Sequence, residues 1–111
     1  MASIEVKQNS VQRRFEVMQD GSLAYLEYEF RENAVALTHT EVPPQIAGRG
    51  LAGALTKAAL EYAEGAELPV IPECGFVVAY IKRNPQYLNI VDATHRSSLE
   101  AHPNKEGELA A

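Results

Sequence analysis

The chain has little from which to build cross-links or metal centres. A single cysteine, Cys74, excludes an internal disulfide, and three histidines give no set from which a structural zinc site is expected. Positive charge is also short. Ten Lys and Arg stand against fifteen Asp and Glu, for a net charge of -5 and an isoelectric point near 5.1. A nucleic-acid partner is therefore not expected unless Arg13, Arg14, Lys82, Arg83 and Arg96 gather on one surface. Long apolar runs are missing, so no membrane span is expected. The opening "MASIEVKQNS" has neither the basic n-region nor the apolar h-region of an export signal, and the expectation is a cytoplasmic protein.

What is present suits one modest core: 46% of 111 residues are hydrophobic, with no internal repeat. In "RRFEVMQ" (13–19), Phe15 and Val17 alternate with Arg14, Glu16 and Met18, the period of a half-buried strand. Asp20-Gly21 supplies a hairpin turn. "SLAYLEYEF" (22–30) sets Ala24, Leu26, Tyr28 and Phe30 on one face, and "AVALTHTEV" (34–42) is a third strand after the break at "RENA". Three strands joined by tight turns predict an antiparallel meander. The period then changes. From Arg49 to Glu64, Leu51, Leu55, Ala58, Ala59 and Tyr62 recur at helical spacing, with Gly65 placed to cap the end. Residues 66–74 suggest a fourth strand interrupted by Pro69 and Pro72, and 76–84 an amphipathic helix ended by Pro85, with another short helix in "PQYLNIV". Residues 1–92 read as the domain and 93–111 as a polar, flexible tail.

Between strand and helix lies "EVPPQIAGRGLAGAL" (41–55). A helix N-terminus offers unpaired N–H groups and the positive end of the macrodipole, and so attracts phosphate. Gly48 and Gly50 keep side chains out of the way, Ala52 is nearly as small, Pro43-Pro44 stiffen the approach, and Arg49 can add a charge-assisted contact. The same glycines would also serve a tight connection with no ligand. Nucleotide motifs do not fit: no Gly-Lys-Ser/Thr follows, and no third Gly stands in a strand-first frame.

The whole frame, a strand closing on Val42, a proline turn and a helix opening Gly-x-Gly-Leu-Ala-x-x-Leu, resembles the acetyl-CoA signature of GCN5-related N-acetyltransferases, Gln/Arg-x-x-Gly-x-Gly/Ala. Two registers are open, 45–50 and 47–52; the second puts Gly50 and Ala52 at the small positions and leaves Ala47 where the family has Gln or Arg, with Gln45 able to reach back. "LTHTEVPP", "GRGLAGAL" and "VIPECGFVVAYIKRNPQY" occur in order and resemble the small single-domain, YjdJ-type subfamily over roughly Arg13 to Val91. That subfamily often has Pro after the cysteine and His before the later Pro, where this chain has Gly75 and Asn84.

The resemblance implies an α+β fold with a mostly antiparallel central sheet whose strands splay apart, packed by helices. It implies acetyl-CoA as acyl donor, bound by Val42, Pro43, Gln45, Ala47, Gly48, Arg49, Gly50, Leu51 and Ala52, and an amine as acceptor. Pantetheine would lie between residues 38–43 and 69–74, with the thioester near Glu41 or Cys74. Glu41 is then the candidate base, directly or through water, or else a solvated strand end; His39 shares its side-chain parity. Tyr80 matches the family's tyrosine that protonates the CoA thiolate, or is an ordinary packed aromatic. Cys74, at a strand end before a helix whose dipole favours thiolate, either accepts the acetyl group or packs as a small hydrophobe. Lys57, Lys82 and Arg83 either meet the adenosine 3′-phosphate or form a solvated helix face.

Overall fold

The computed structural model describes residues 4–101. Five strands stand in chain order across one sheet: β1 (Lys7–Asn9), β2 (Arg14–Gln19), β3 (Ser22–Arg31), β4 (Ala34–Glu41) and β5 (Val70–Pro72). The first four pair antiparallel, and β5 lies parallel to β4. A parallel neighbour requires a crossover. Here a 3-10 turn (Pro44–Ile46) and the helix α1 (Leu51–Gly65) provide it. Two further helices follow, α2 (Gly75–Arg83) and α3 (Ala93–Ala101), joined through a 3-10 segment at Pro85–Ile90. None of the helices among the described residues is long and apolar enough to cross a membrane.

The α+β architecture and its mostly antiparallel sheet agree with the sequence reading. At Asp20 and Gly21, φ of 49° and 76° make the two-residue hairpin that joins β2 to β3. Phe15, Val17, Ala24, Leu26 and Tyr28 are buried on one face of the sheet, against Leu51, Leu55, Ala59, Leu60 and Ala63 of α1. Phe30 has the same parity but is 48% exposed at the strand end, edge-on to Tyr28.

Four details differ from expectation. The buried stripe of α1 runs through Leu60 and Ala63 where Ala58 and Tyr62 were expected, and these two pack only partly against the core. The cap of the helix also falls one residue later than expected, with Gly65 the last helical residue and Ala66 the C-cap. Glu67 takes the left-handed position (φ 57°), with its N–H donating to Glu64 O and that of Leu68 to Ala63 O, so residues 66–68 close the helix and β5 begins only at Val70. The polar strand β1 has no apolar alternation to reveal it; pairing with β2 holds it. Residues 93–101, expected to lack regular structure, form α3, anchored by the buried Leu99 and by Asp92, whose Oδ2 accepts from Thr94 N–H at 3.2 Å. The rest of the expected tail, 102–111, lies outside the described residues.

Candidate functional site

β4 and β5 stay paired for only three residues, Val35 with Val70, Ala36 with Ile71 and Leu37 with Pro72, followed by one bond from Glu73 N–H to Leu37 O. From there β5 turns into α2 while β4 continues to Glu41. Its residues 38–41 therefore have a strand partner on the β3 side alone. The cause is a bulge. Glu27 pairs with His39 and Tyr28 with Leu37, so Thr38 is the extra residue, and its Oγ1 donates to Glu27 O at 3.2 Å. An extra residue bends the strand and increases its twist, which peels β4 away from β5.

The bulge also reassigns faces. Regular alternation from Val35 and Leu37 would send His39 and Glu41 into the core. Instead Thr40 lies opposite the buried Leu26, while His39 faces Glu27 and Glu41 faces Tyr25 on the other side of the sheet. His39 Nε2 sits 3.0 Å from Glu41 Oε1, so their shared parity holds. Thr40 Oγ1 and Cys74 Sγ meet at 3.3 Å across the opened ladder. Glu41 and Cys74 thus flank one wedge from opposite faces of β4, and Cys74, half-buried, is the N-cap of α2. At the outer edge of the wedge Arg31 grips both oxygens of Glu73, holding that carboxyl below its usual range.

The β4–α1 connection supplies the second component. Ile46 is fully buried and pins the 3-10 turn; Leu51 is buried and pins the helix entrance. Between them Gly48 and Gly50 both have φ of 79°, a conformation that side chains disfavour. A Cβ on either glycine would meet no protein atom within 4 Å, so the space above this turn is open. Gly50 is the N-cap of α1, with no side-chain cap and no acidic residue in the first turn. Among the described residues, no protein acceptor takes the N–H groups of Gly48 through Gly53. Six successive donors thus open on one concave turn, an arrangement that receives an anion.

Two expected contacts fall elsewhere. The Arg49 guanidinium turns to the β2–β3 hairpin, with Nη1 donating to Asp20 Oδ2 at 2.9 Å and to Gln19 Oε1 at 3.1 Å. The Leu51 side chain belongs to the core, which leaves only its amide at the turn. Tyr80 lies beside the first turn of α1, its Cε2 3.8 Å from where a Cβ on Gly53 would be, in a row with Phe76 and Tyr87. Burial, with Tyr80 next, raises the Tyr87 phenol and keeps it protonated. Lys57 Nζ lies 4.0 Å from Glu61 Oε2, both side chains exposed, and the Arg83 guanidinium lies over the Phe76 ring.

A sequence model of the GCN5-related N-acetyl-transferase family matches residues 14–90, from β2 through the opened ladder to the end of the second 3-10 segment. The chain belongs to this family. Among its relatives, Protein NATD1 of Xenopus tropicalis is 38% identical over 92 residues, covering 78% of this chain and 84% of that protein. The Homo sapiens protein of the same name is 39% identical over 90 residues, 77% of this chain and 80% of its own. The solution structure of a GCN5-like protein from Staphylococcus aureus superposes with a TM-score of 0.64 at 27% identity, covering 83% of this chain and 91% of that one.

For a GCN5-related N-acetyltransferase the sequence motifs located the glycine turn and both strands of the wedge. They did not show Thr38, Thr40 or Asp20. Thr38 carries a weak signal, a β-branched hydroxyl residue where apolar alternation gives way to polar residues; the other two are visible only as partners. A cavity of about 460 Å³ lies at the other end of α1, lined by Ala63, Leu68, Ile90 and Arg96 among others, and does not touch the family's signature turn.

Proposed function

We propose that this protein binds acetyl-CoA and transfers its acetyl group to an amine. The observation that carries this reading is the run of unpartnered amides from Gly48 to Gly53 at the end of a strand that has parted from its neighbour. Those amides receive the diphosphate. The unpaired side of residues 38–41 offers main-chain groups to pantetheine; Val42, packed partly against the core, and Pro43, with its fixed φ of -61°, set the turn between the two. Gln45 and Ala47 border the turn and add no charge, so the grip is a main-chain one.

Acyl transfer needs a proton removed from the acceptor ammonium, a bond made from its nitrogen to the carbonyl carbon, and a proton for the sulfur released when the C–S bond breaks. Glu41, half-exposed beside His39, takes the first proton directly or through water. Tyr80, beside the first turn of α1, gives up the second. Cys74 either packs against Thr40 or receives the acetyl group as a thioester before the amine does. Mass spectrometry after exposure to acetyl-CoA separates these roles, since only the second leaves an acetyl adduct on Cys74.

The half-exposed Glu41 favours a second reading, a CoA-binding module with little turnover, because among the described residues no helix packs over it to form an acceptor pocket. Calorimetric titration with acetyl-CoA, then turnover with polyamines, lysine peptides and small amines, tests both. Micromolar binding with turnover supports the transferase, binding without turnover supports the module, and no binding at millimolar ligand removes both.

A further inference from the structure

The turn from Ala47 to Gly50 is bracketed by two buried anchors, Ile46 and Leu51, yet contributes no buried side chain of its own. Two of its four residues are glycines at φ 79°, the softest joints a backbone has. Its internal bonds are few: Ala47 N–H donates to Pro44 O, and Gly50 O accepts from Ala54 N–H. Something must select one conformation from the many that glycine permits. Arg49 is the one side chain of the turn that reaches another element: Nη1 donates to Asp20 and Gln19 of the β2–β3 hairpin, and Nη2 to Gln45 O at 3.3 Å. The hairpin end is itself fixed, because Gln19 pairs with Ser22 and the Asp20-Gly21 turn is set by its positive φ values.

We propose that Asp20 is a positioning residue for the anion-binding turn: through Arg49 it straps the Gly48–Gly50 backbone to the β2–β3 hairpin in the conformation that keeps the amides aligned. The inference rests on the reading that this turn receives the diphosphate of acetyl-CoA. It assigns Arg49 a structural partner where its place between Gly48 and Gly50 at the helix entrance suggests a phosphate contact. Ordering the turn before the ligand arrives spares part of the entropy cost of binding.

The test is a double-mutant cycle read by calorimetry with CoA and by amide resonances without it. Asp20→Gly keeps the left-handed hairpin while removing the carboxylate, Asp20→Asn removes the charge but keeps an acceptor, and Arg49→Gln removes the fork. Asp20→Gly and Arg49→Gln should each weaken CoA binding by about twofold to fivefold, the range open to an exposed charge pair, and the double variant should be no worse than the weaker single. Asp20→Asn should fall between Asp20→Gly and the parent. In the ligand-free protein, the Gly48 and Gly50 amide signals should broaden in both single variants while core amides stay unshifted, a pattern that general destabilisation would not give. Tighter or unchanged CoA binding by Asp20→Gly, or losses that add in the double variant, would overturn the strap and make Arg49 a direct phosphate ligand. If the parent itself fails to bind CoA, the function proposed above falls, and unchanged glycine signals in the variants would separately dispose of the strap.

Discussion

At the C-terminal end of α1 the chain closes on itself: Ala66, Glu67 and Leu68 each donate an amide back to the last turn, and Glu67 accepts a left-handed φ of 57° to make this possible. At the N-terminal end the same helix begins on another left-handed residue, Gly50, but among the described residues no side chain caps it. The entrance of α3 sharpens the contrast, because there Asp92 accepts both the Thr94 amide and the His95 ring. Among the described residues the entrances of α1 and α2 both lack a side-chain cap, and they follow β4 and β5, the two strands that part. At α1 the glycines leave open space above the unpaired amides, and on the function proposed above those unmade hydrogen bonds are the means of binding.

This comparison can be broken most severely at Gly50. Gly50→Glu places a carboxylate in the open space above the turn and forces a side chain into a left-handed position, so CoA affinity should fall by about a hundredfold or more, measured by calorimetry, while circular dichroism keeps the parent's helix and strand content. Ala52→Glu is the sharper test. A carboxylate in the first turn of a helix interacts favourably with the macrodipole, so thermal stability should hold or rise by about 0.3–1 kcal/mol, while affinity for the anionic ligand drops by about tenfold. A variant that gained stability and kept its affinity would show that the bare entrance is not the binding surface.

At the closed end the signs reverse. Glu67→Gly relieves a side chain at positive φ and should stabilise the fold by about 0.5–1 kcal/mol in chemical denaturation, with CoA affinity unchanged. The smallest effect concerns α3. The His95 ring first, with the Thr94 amide, holds the Asp92 carboxyl below its ordinary value. A carboxyl whose folded value is depressed contributes stability above its unfolded value and loses it as pH falls through the folded one. Amide exchange at His95 and Arg96 should therefore quicken below the ordinary aspartate range while α1 amides remain protected.

The antiparallel meander was legible because Phe15, Val17, Ala24, Leu26 and Tyr28 alternate cleanly and Asp20-Gly21 punctuates them. The glycine turn was legible as a turn because two prolines and two glycines stand between a strand and an Ala-rich helix, although the same residues would serve a tight connection with no ligand. Face assignments near the site were not. Val35, Leu37, His39 and Glu41 share one parity in the sequence, yet the bulge at Thr38 sends the last two to the opposite face. No local pattern announces such a bulge, since it arises from pairing with β3. The helix at 93–101 was hidden for a related reason: its sequence, ATHRSSLEA, has no sustained apolar period, and Leu99, buried against the core, does not make one by itself.

Read alone, the sequence determined the meander of β2, β3 and β4, the helices α1 and α2 and the bare glycine turn between β4 and α1, because side-chain alternation and the φ preferences of glycine and proline act over a few residues. Tertiary structure alone decided that β4 and β5 part after Leu37, that Thr40 meets Cys74 while Glu41 lies on the other face, and that Arg49 answers to Asp20. Those outcomes depend on register and contact between residues up to 36 apart in the chain, which only the assembled sheet fixes.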